Sequence, residues 1–175
     1  YNDAGTEVVL TDPAGILSGQ VQVTYTKADP SAVTSGDVEA AIRSTIGQVY
    51  EVSGKVATLL AAPGWSEDPE VNTALKSAAA KISGHWDAFV VDDMDTAAAQ
   101  TIDTAISKKK AELRNSPRET PCWPMVSDGS RYFHLSTLSI AKMMEIDAEN
   151  DDIPFETCSN KPIAVTGLVV KDGKG

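Results

Sequence analysis

Two aspartates separated by one residue, Asp93 and Asp95, end the hydrophobic run "AFVVDDMD" and are the first candidates for chemistry in this sequence. Such a pair could hold Mg²⁺ or Mn²⁺, because these cations prefer carboxylate oxygens. The alternative is structural, since Asp95 or Thr96 can cap the helix predicted to follow. No third or fourth oxygen ligand is suitably spaced, so we favour capping and expect no metal and no cofactor.

A second group of carboxylates is clustered around "DAENDDIP". Paired carboxylates can do acid–base chemistry. Here, however, they lie where a predicted helix ends, and the helix dipole disfavours negative charge there. Either water or a cation from a partner must therefore meet them. The candidate contact residues of this group are Asp147, Glu149, Asp151, Asp152 and Glu156.

The segment carrying these acids is expected to be an ordered surface loop over residues 147–161. Pro154 pushes the residue before it out of helical geometry, so the helix should end near Asn150. Asn150 can adopt the left-handed conformation that closes a helix. We expect Ile153 and Phe155 to anchor the loop to the body of the protein.

Other catalytic patterns are weak. The sequence has only two histidines, His85 and His134, and contains no GxSxG, GxGxxG or Walker A motif. Cys122 and Cys158 form no CxxC pair and are read as small buried hydrophobic residues. Trp65, in the loop "PGWSEDP", is interpreted as a packing or contact residue and is a further candidate subunit contact.

Composition excludes several classes of partner. The net charge is −10, which disfavours nucleic acid because binding to phosphates rests on clustered Lys and Arg. The single basic run, Lys108–Lys110, falls late in a predicted helix, where it complements the dipole. No apolar run reaches the roughly 18–20 residues of a membrane helix, so no membrane insertion is expected.

The secondary structure that the sequence predicts indicates an α/β fold. Residues 1–35 form a β-rich N-terminal portion in which "QVQVTYTKA" alternates as a strand. Residues 36–175 are assigned to one α/β domain. A helix capped by Asp37 should open it and break near Gly47.

A parallel βαβ core sheet flanked by helices is predicted for the middle of the chain. Three buried strands, "KVATLLAA", "DAFVVDD" and "PCWPMV", alternate with two helical segments. The first helix should start at Asp68 and Pro69 and end at Gly84. A hairpin through "SDGS", another helix and a last strand in "PIAVTGLVV" complete the prediction.

Three segments together resemble the tail sheath proteins of contractile-tailed bacteriophages and related prophages. They are "VQVTYTKADPSAVTSGDV", "LLAAPGWSEDPEVNTAL" and "CWPMV…YFHLSTLSIAKMMEIDAENDDIPFETCSNKPI". They occur in the order of that family and cover nearly the whole chain, most strongly from Val56 to Pro162. Cys158 departs from the family pattern, which has Pro before Ser-Asn.

The resemblance implies a structural protein and no enzyme. Subunits of this family stack as rings around a tail tube and contract to drive the tube through the host envelope. The implied partners are other copies of the subunit, the tail tube protein and the baseplate. The implied location is the virion tail sheath, assembled in the bacterial host cytoplasm. The C-terminal region typical of the family is missing, so we expect a fragment of a longer chain.

Two competing hypotheses remain open. One is a metal-dependent enzyme that binds nucleotide sugars through Asp93 and Asp95, by analogy with the DxD pair of many glycosyltransferases. The other is an adaptor module that does not self-assemble. Metal-dependent stabilisation would favour the enzyme, and metal-independent polymers would favour the sheath.

Overall fold

The computed structural model describes Gly15 and residues 28–170. The chain divides into two units, Tyr1–Pro30 and Ser31–Gly175, and the helices and strands below all lie in the second. The predicted β-rich portion, with its strand "QVQVTYTKA", lies almost entirely outside the described residues. Within residues 28–170 the protein is mixed α/β, as the sequence predicts.

The described region contains five α-helices and six β-strands. The helices are α1 (Ser35–Thr45), α2 (Val49–Ser53), α3 (Pro69–Ala79), α4 (Ile102–Ala111) and α5 (Leu135–Glu149). The strands are β1 (Leu59–Leu60), β2 (Phe89–Asp93), β3 (Glu119–Cys122), β4 (Met125–Ser127), β5 (Tyr132–Phe133) and β6 (Gly167–Val169). Short 3-10 turns occupy Pro30–Ala32 and Ile46–Gln48. No helix within residues 28–170 has the length and apolar character needed to cross a membrane.

A three-stranded parallel sheet lies at the centre of this unit. Its strand order is β1-β2-β3, so β2 is central and the other two strands are edges. Leu60 pairs with Val90, and Asp93 pairs with Cys122. In the chain, α3 lies between β1 and β2, and α4 lies between β2 and β3. Because the strands are parallel, the loops after β1, β2 and β3 share one edge of the sheet.

A second, antiparallel sheet has the strand order β5-β4-β6. The prediction of one strand in "PCWPMV" is therefore wrong, since the run divides between the two sheets. Pro124 lies at the division, where its missing N–H removes a donor from any continuing ladder. The hairpin through "SDGS" is confirmed by the pairing of Val126 with Phe133. The last predicted strand is present as β6, which pairs with β4.

The start of α3 follows its sequence signals. The Asp68 side chain accepts a hydrogen bond from the Glu70 N–H at 2.9 Å, and Pro69 occupies the first turn. The end differs from the prediction, because Ala80 is already extended and the helix stops five residues before Gly84. Ile82 instead bridges to Trp86 in a tight reversal. It thereby joins the core from outside the helix.

Two other predicted helix starts are wrong by a few residues. In α1 the cap is Thr34, and Asp37 returns a hydrogen bond to the Thr34 N–H in a capping box. In α4 the cap is Thr101, paired in the same way with Thr104. Threonine hydroxyls can take this role as well as carboxylates do. The predicted break near Gly47 is confirmed, since α1 ends at Thr45 and α2 begins at Val49.

The main core lies between α3 and one face of the parallel sheet. Leu75 on α3 is 1% exposed and Val90 on β2 is 1% exposed. Partly buried residues of α1 and of the turn after it pack against this cluster. The buried residues of the cluster are Leu60, Ala62, Val71, Leu75, Ala79, Ile82, Ala88 and Val90. Truncating a side chain such as Leu75 to alanine would cost about 2–5 kcal/mol.

Candidate functional site

Asp93, the first residue of the D-x-D pair, is buried at the end of β2 and bonded to the start of α5. Its carboxylate accepts hydrogen bonds from the Ser136 N–H at 3.0 Å and from the Ser136 hydroxyl. Burial raises the pKa of Asp93, while the bonds from Ser136 oppose that rise. His134, the N-cap residue of α5, makes no side-chain cap. Asp93 therefore caps α5 from a different element of the fold.

Asp95, the second residue of the pair, serves a different local structure. Its carboxylate accepts hydrogen bonds from the Ala97 and Ala98 N–H groups at 2.9 and 3.2 Å. It also lies 3.9 Å from the Lys108 ammonium. The predicted capping role is thus correct in kind, but Asp95 caps a turn and α4 starts only after Thr101. The two carboxylates bind different partners.

A buried arginine that the sequence analysis missed organises the same edge of the sheet. Arg114 has no exposed surface, and its guanidinium pairs with the Asp92 carboxylate at 2.5 Å. It also donates to the carbonyl oxygens of Ser66 at 2.9 Å and Asp93 at 2.8 Å. A further ion pair joins it to Glu112 at 2.6 Å. One side chain thus ties the loop after β1 to the ends of β2 and α4.

The polar network continues across the sheet through Asn72 of α3. Its amide donates to Asp92 at 3.1 Å and to Glu119 of β3 at 3.0 Å. Burial raises the pKa of Asp92 to about 6, against the opposing effect of Arg114. The Asp92 Oδ1 atom has no hydrogen-bond partner in the described part of the chain. A signal for this network was present in "FVVDD", because a carboxylate on a buried strand needs a cation.

His134 lies beside this network without forming a nucleophilic triad. Its Nδ1 atom is 3.4 Å from a Glu67 oxygen and 3.9 Å from Asp93 Oδ2. The interaction with Glu67 raises the pKa of His134. In a triad the histidine stands between the nucleophile and the carboxylate. Here the Ser136 hydroxyl bonds directly to Asp93, so the histidine does not activate it.

Clustered metal ligands are not found among residues 28–170, where no group of three or more His, Cys, Asp or Glu side chains could hold an ion. Cys122 and Cys158 are both free. Burial raises the pKa of the Cys122 thiol to about 12, which makes it a poor nucleophile at neutral pH. Cys158 is only half-buried. The reading of Cys158 as a buried residue therefore holds only in part.

The candidate contact residues fall into two places. Trp65 is 37% exposed and lines a concavity with Glu67, Asp68 and Asp95. The acids of "DAENDDIP" lie at the end of α5 and in the segment after it, and none of them lines that concavity. Among them Asp147 is half-buried and the rest are exposed. The exposed members are Glu149, Asp151, Asp152 and Glu156.

The end of α5 differs from the prediction in its geometry. The helix stops at Glu149, as expected, but Asn150 has a φ of −112° and is not left-handed. Asp151 and Asp152 take that conformation instead, with φ values of 57° and 60°. The Asp152 N–H then bonds to the Asp147 carbonyl at 2.8 Å and closes the helix. Aspartate tolerates this conformation better than most residues.

The predicted anchoring of the loop by Ile153 and Phe155 is wrong. Ile153 is 55% exposed and Phe155 is 72% exposed. The loop is held locally, since Asn150 donates to Glu156 at 3.1 Å and Lys161 pairs with the same carboxylate. The segment therefore presents both apolar and acidic side chains to its surroundings.

Comparisons with protein-family models, with curated proteins and with solved structures find no match for this chain. Function must therefore be argued from the residues themselves.

Proposed function

We propose that this chain is part of a structural subunit of a contractile-phage tail sheath. The subunit would polymerise around a tail tube and contract to drive the tube through the host envelope. Its partners would be other copies of the subunit, the tail tube protein and the baseplate. The proposal includes a parallel βαβ core flanked by helices and preceded by a β-rich portion.

The observation that carries the proposal is the exposure of the segment that most resembles that family. In "DAENDDIPFETCSNK" the residues Ile153 and Phe155 are exposed, and Asp151 and Asp152 lie beside them on the surface. A mixed apolar and acidic surface is suited to contact with another protein.

The same proposal accounts for the buried polar residues. Asp92, Asp93, Arg114 and Glu119 make buried contacts that join α3, β2, β3 and α5 to the segment after α4. A subunit that transmits force needs neighbouring elements to move as one body. A buried and hydrogen-bonded network supplies that rigidity.

Electron microscopy tests the proposal. The sample is the full-length sheath subunit of which this chain would be a part, hereafter the longer protein. Tubes or stacked rings formed without added metal would support the sheath function. Dispersed particles under all solution conditions would argue against it.

The alternative is a metal-dependent enzyme that binds nucleotide sugars through Asp93 and Asp95. Calorimetric titration of this chain with Mg²⁺, Mn²⁺ and Ca²⁺ distinguishes it from the sheath. We expect no saturable micromolar binding, because Ser136 and the turn after Asp95 already engage the two carboxylates. Stoichiometric binding that is lost in both Asp93→Ala and Asp95→Ala would establish the enzyme instead.

A further inference from the structure

A groove with a volume of about 680 Å³ opens between the parallel sheet, α5 and the segment after α5. Its apolar lining comes from three different elements. Leu59 lies on the edge strand β1, Phe89 on β2 and Met143 on α5, and all three are only partly buried. Pro154 of the following segment completes the apolar lining. The groove is therefore a concave apolar surface on a part of the chain that ends in exposed acids.

Three residues next in the chain to lining residues are also apolar and exposed. Met144 follows Met143 and is 61% exposed, and Ile153 and Phe155 flank Pro154 and are exposed. Scattered single apolar residues on a surface need no explanation. A groove with several large apolar neighbours is the pattern of a protein contact.

The carboxylates that line the groove favour a positively charged occupant. Asp147 and Asp152 line it, and within residues 28–170 neither takes part in an ion pair. Glu156 also lines it but is already paired with Lys161. The groove thus offers two uncompensated carboxylates at an apolar surface. Its occupant should be apolar with adjacent positive charge.

Helix α4 has that character and is exposed on the same chain. Ile102 is 66% exposed and Ile106 is 46% exposed. Steps of four and three residues place Ile102, Ile106 and Lys109 on one face of the helix. Lys110 adjoins that face, and Leu113, just beyond the helix, is 69% exposed.

The lysines of α4 differ in whether they form ion pairs. Lys108 pairs with Glu112 at 2.6 Å. Lys109 and Lys110 have no ion-pair partner anywhere in the described region. They lie in the last turn of the helix, where Lys110 is exposed and Lys109 is half-buried. No residue of α4 lines the groove of its own chain.

We infer that α4 of one copy of this chain docks in the α5 groove of another copy. The exposed isoleucines would meet Leu59, Phe89 and Met143, and Lys109 and Lys110 would meet Asp147 and Asp152. This inference rests on the proposed function and assigns its subunit contact to two surfaces. Because the two surfaces differ, the contact is heterologous and leaves a free α4 and a free groove at the ends of any chain of copies. Such a contact forms a ring where the rotation between copies closes, and an open helical assembly where it does not.

The test uses the native Cys158, which lines the groove. Two preparations of this chain both carry Cys122→Ser, a change that leaves Thr120 and Ser139 as hydrogen-bond partners of the new hydroxyl. The first keeps Cys158. The second carries Cys158→Ser and Ile106→Cys. After mixing at high concentration with a mild oxidant, the yield of the mixed disulfide is measured on a non-reducing gel.

The matched control replaces Ile106→Cys by Ser77→Cys on the exposed side of α3. We expect the Ile106→Cys pair to form about tenfold more mixed disulfide than the control at low salt, and the excess to shrink as salt screens the charges. Equal yields from the two pairs would overturn the inference.

A charge exchange tests the same contact without relying on one cysteine position. Lys109→Glu in the α4 copy should reduce the disulfide yield to the level of the control. Asp147→Lys in the groove copy should restore it, because the pair is then rebuilt with its signs reversed. Thermal melts establish that each variant is folded. A loss without restoration would contradict the proposed pairing.

These measurements do not depend on tube formation. If the longer protein forms tubes but the mixed disulfide shows no excess, the sheath function stands and this contact is wrong. If the disulfide shows the excess and the longer protein forms no tubes, the contact stands and the sheath function is wrong.

Discussion

At the scale of single residues, the D-x-D pair separates into a buried residue and a surface residue. Asp93 is 3% exposed and holds two groups of Ser136, whereas Asp95 caps one turn. A metal site would need both carboxylates to share one ion. In the structure the two carboxylates bind different groups, and the difference can be measured.

Replacing each aspartate by alanine should have unequal effects on stability. Asp93→Ala leaves the buried N–H and hydroxyl of Ser136 without an acceptor and should cost about 2–3 kcal/mol. Asp95→Ala removes only a cap and should cost about 0.5–1 kcal/mol. Urea unfolding of the two variants measures the difference. Equal losses, or losses that appear only with a divalent cation present, would contradict the structural roles.

From the raised pKa values of two residues we expect the stability of the fold to decrease as pH rises toward neutrality. Burial raises the pKa of Asp92 from 3.8 to about 6, so the folded chain holds that proton more tightly than the unfolded chain. The resulting stabilisation is lost as pH rises through this window. His134, whose pKa is raised by Glu67, adds a loss of the same sign at higher pH. The net charge of −10 adds repulsion in the same direction.

Thermal melts from about pH 5 to about pH 8 should therefore show a steadily falling midpoint. Carboxylates with lowered pKa values, such as Asp37, act in the opposite sense only at more acidic pH. In His134→Gln the fall above about pH 6.5 should be smaller, since the histidine contribution is gone. A midpoint that rises with pH would show that these groups do not control stability.

Residue roles were predictable where a local signal existed. Asp68 and Pro69 were assigned correctly because capping depends on the next few residues. Arg114 was missed because "ELRNSP" has no distinctive spacing, and its partners Asp92 and Ser66 lie far away in the sequence. The anchoring of Ile153 and Phe155 was wrong because hydrophobic type was taken to imply burial, a rule that often fails for single residues.

At the scale of elements, the end of α5 has a charge and a backbone conformation that are both locally unfavourable. Asp151 carries negative charge at a helix C-terminus and adopts a φ of 57°. Both features are unfavourable for the isolated segment. Such frustration is expected where a surface is selected for contact rather than for stability.

Neutralising that charge should stabilise the protein. Asp151→Asn keeps a residue that tolerates the left-handed conformation and removes repulsion with the dipole, so we expect a gain of about 0.3–1 kcal/mol. Asp103→Asn is the matched control, because Asp103 lies in the first turn of α4, where the dipole favours the charge. Urea unfolding should show the control destabilised by a similar amount. A loss of stability in Asp151→Asn would contradict this explanation.

Element types were easier to predict than element limits. The α3 helix, the hairpin through "SDGS" and the final strand were all identified, because periodicity and turn residues act locally. The predicted limits of an element were wrong where strand pairing determines where the element ends. The strand predicted over "KVATLLAA" is reduced to Leu59–Leu60, since at an edge only the residues that reach β2 can pair.

At the scale of the whole molecule, charges of opposite sign lie on two surfaces of the described region. Acids gather at the end of α5, and Lys109 and Lys110, which have no ion-pair partner within residues 28–170, lie on α4. The mixed α/β class followed from the sequence. The two surfaces could not be predicted from the sequence, because they depend on which side chains the fold leaves exposed.

Removing charge from the acidic surface should weaken assembly without weakening the fold. Asp151→Asn together with Asp152→Asn preserves the left-handed backbone, so the melting temperature of this chain should not fall. The longer protein with both changes should form fewer tubes, and the deficit should be largest at low salt. Counting tubes by microscopy at two salt concentrations measures this effect. Normal tubes in both conditions would show that the acids are only a solvated surface.

We propose that this chain belongs to a protein that polymerises for a mechanical purpose, and negative-stain electron microscopy of the longer protein, with and without a chelator, is the direct test. We predict tubes or stacked rings whose number is unchanged by the chelator. Dispersed particles in every condition, together with a melting temperature that rises on addition of Mn²⁺, would contradict the sheath and favour the metal-dependent enzyme.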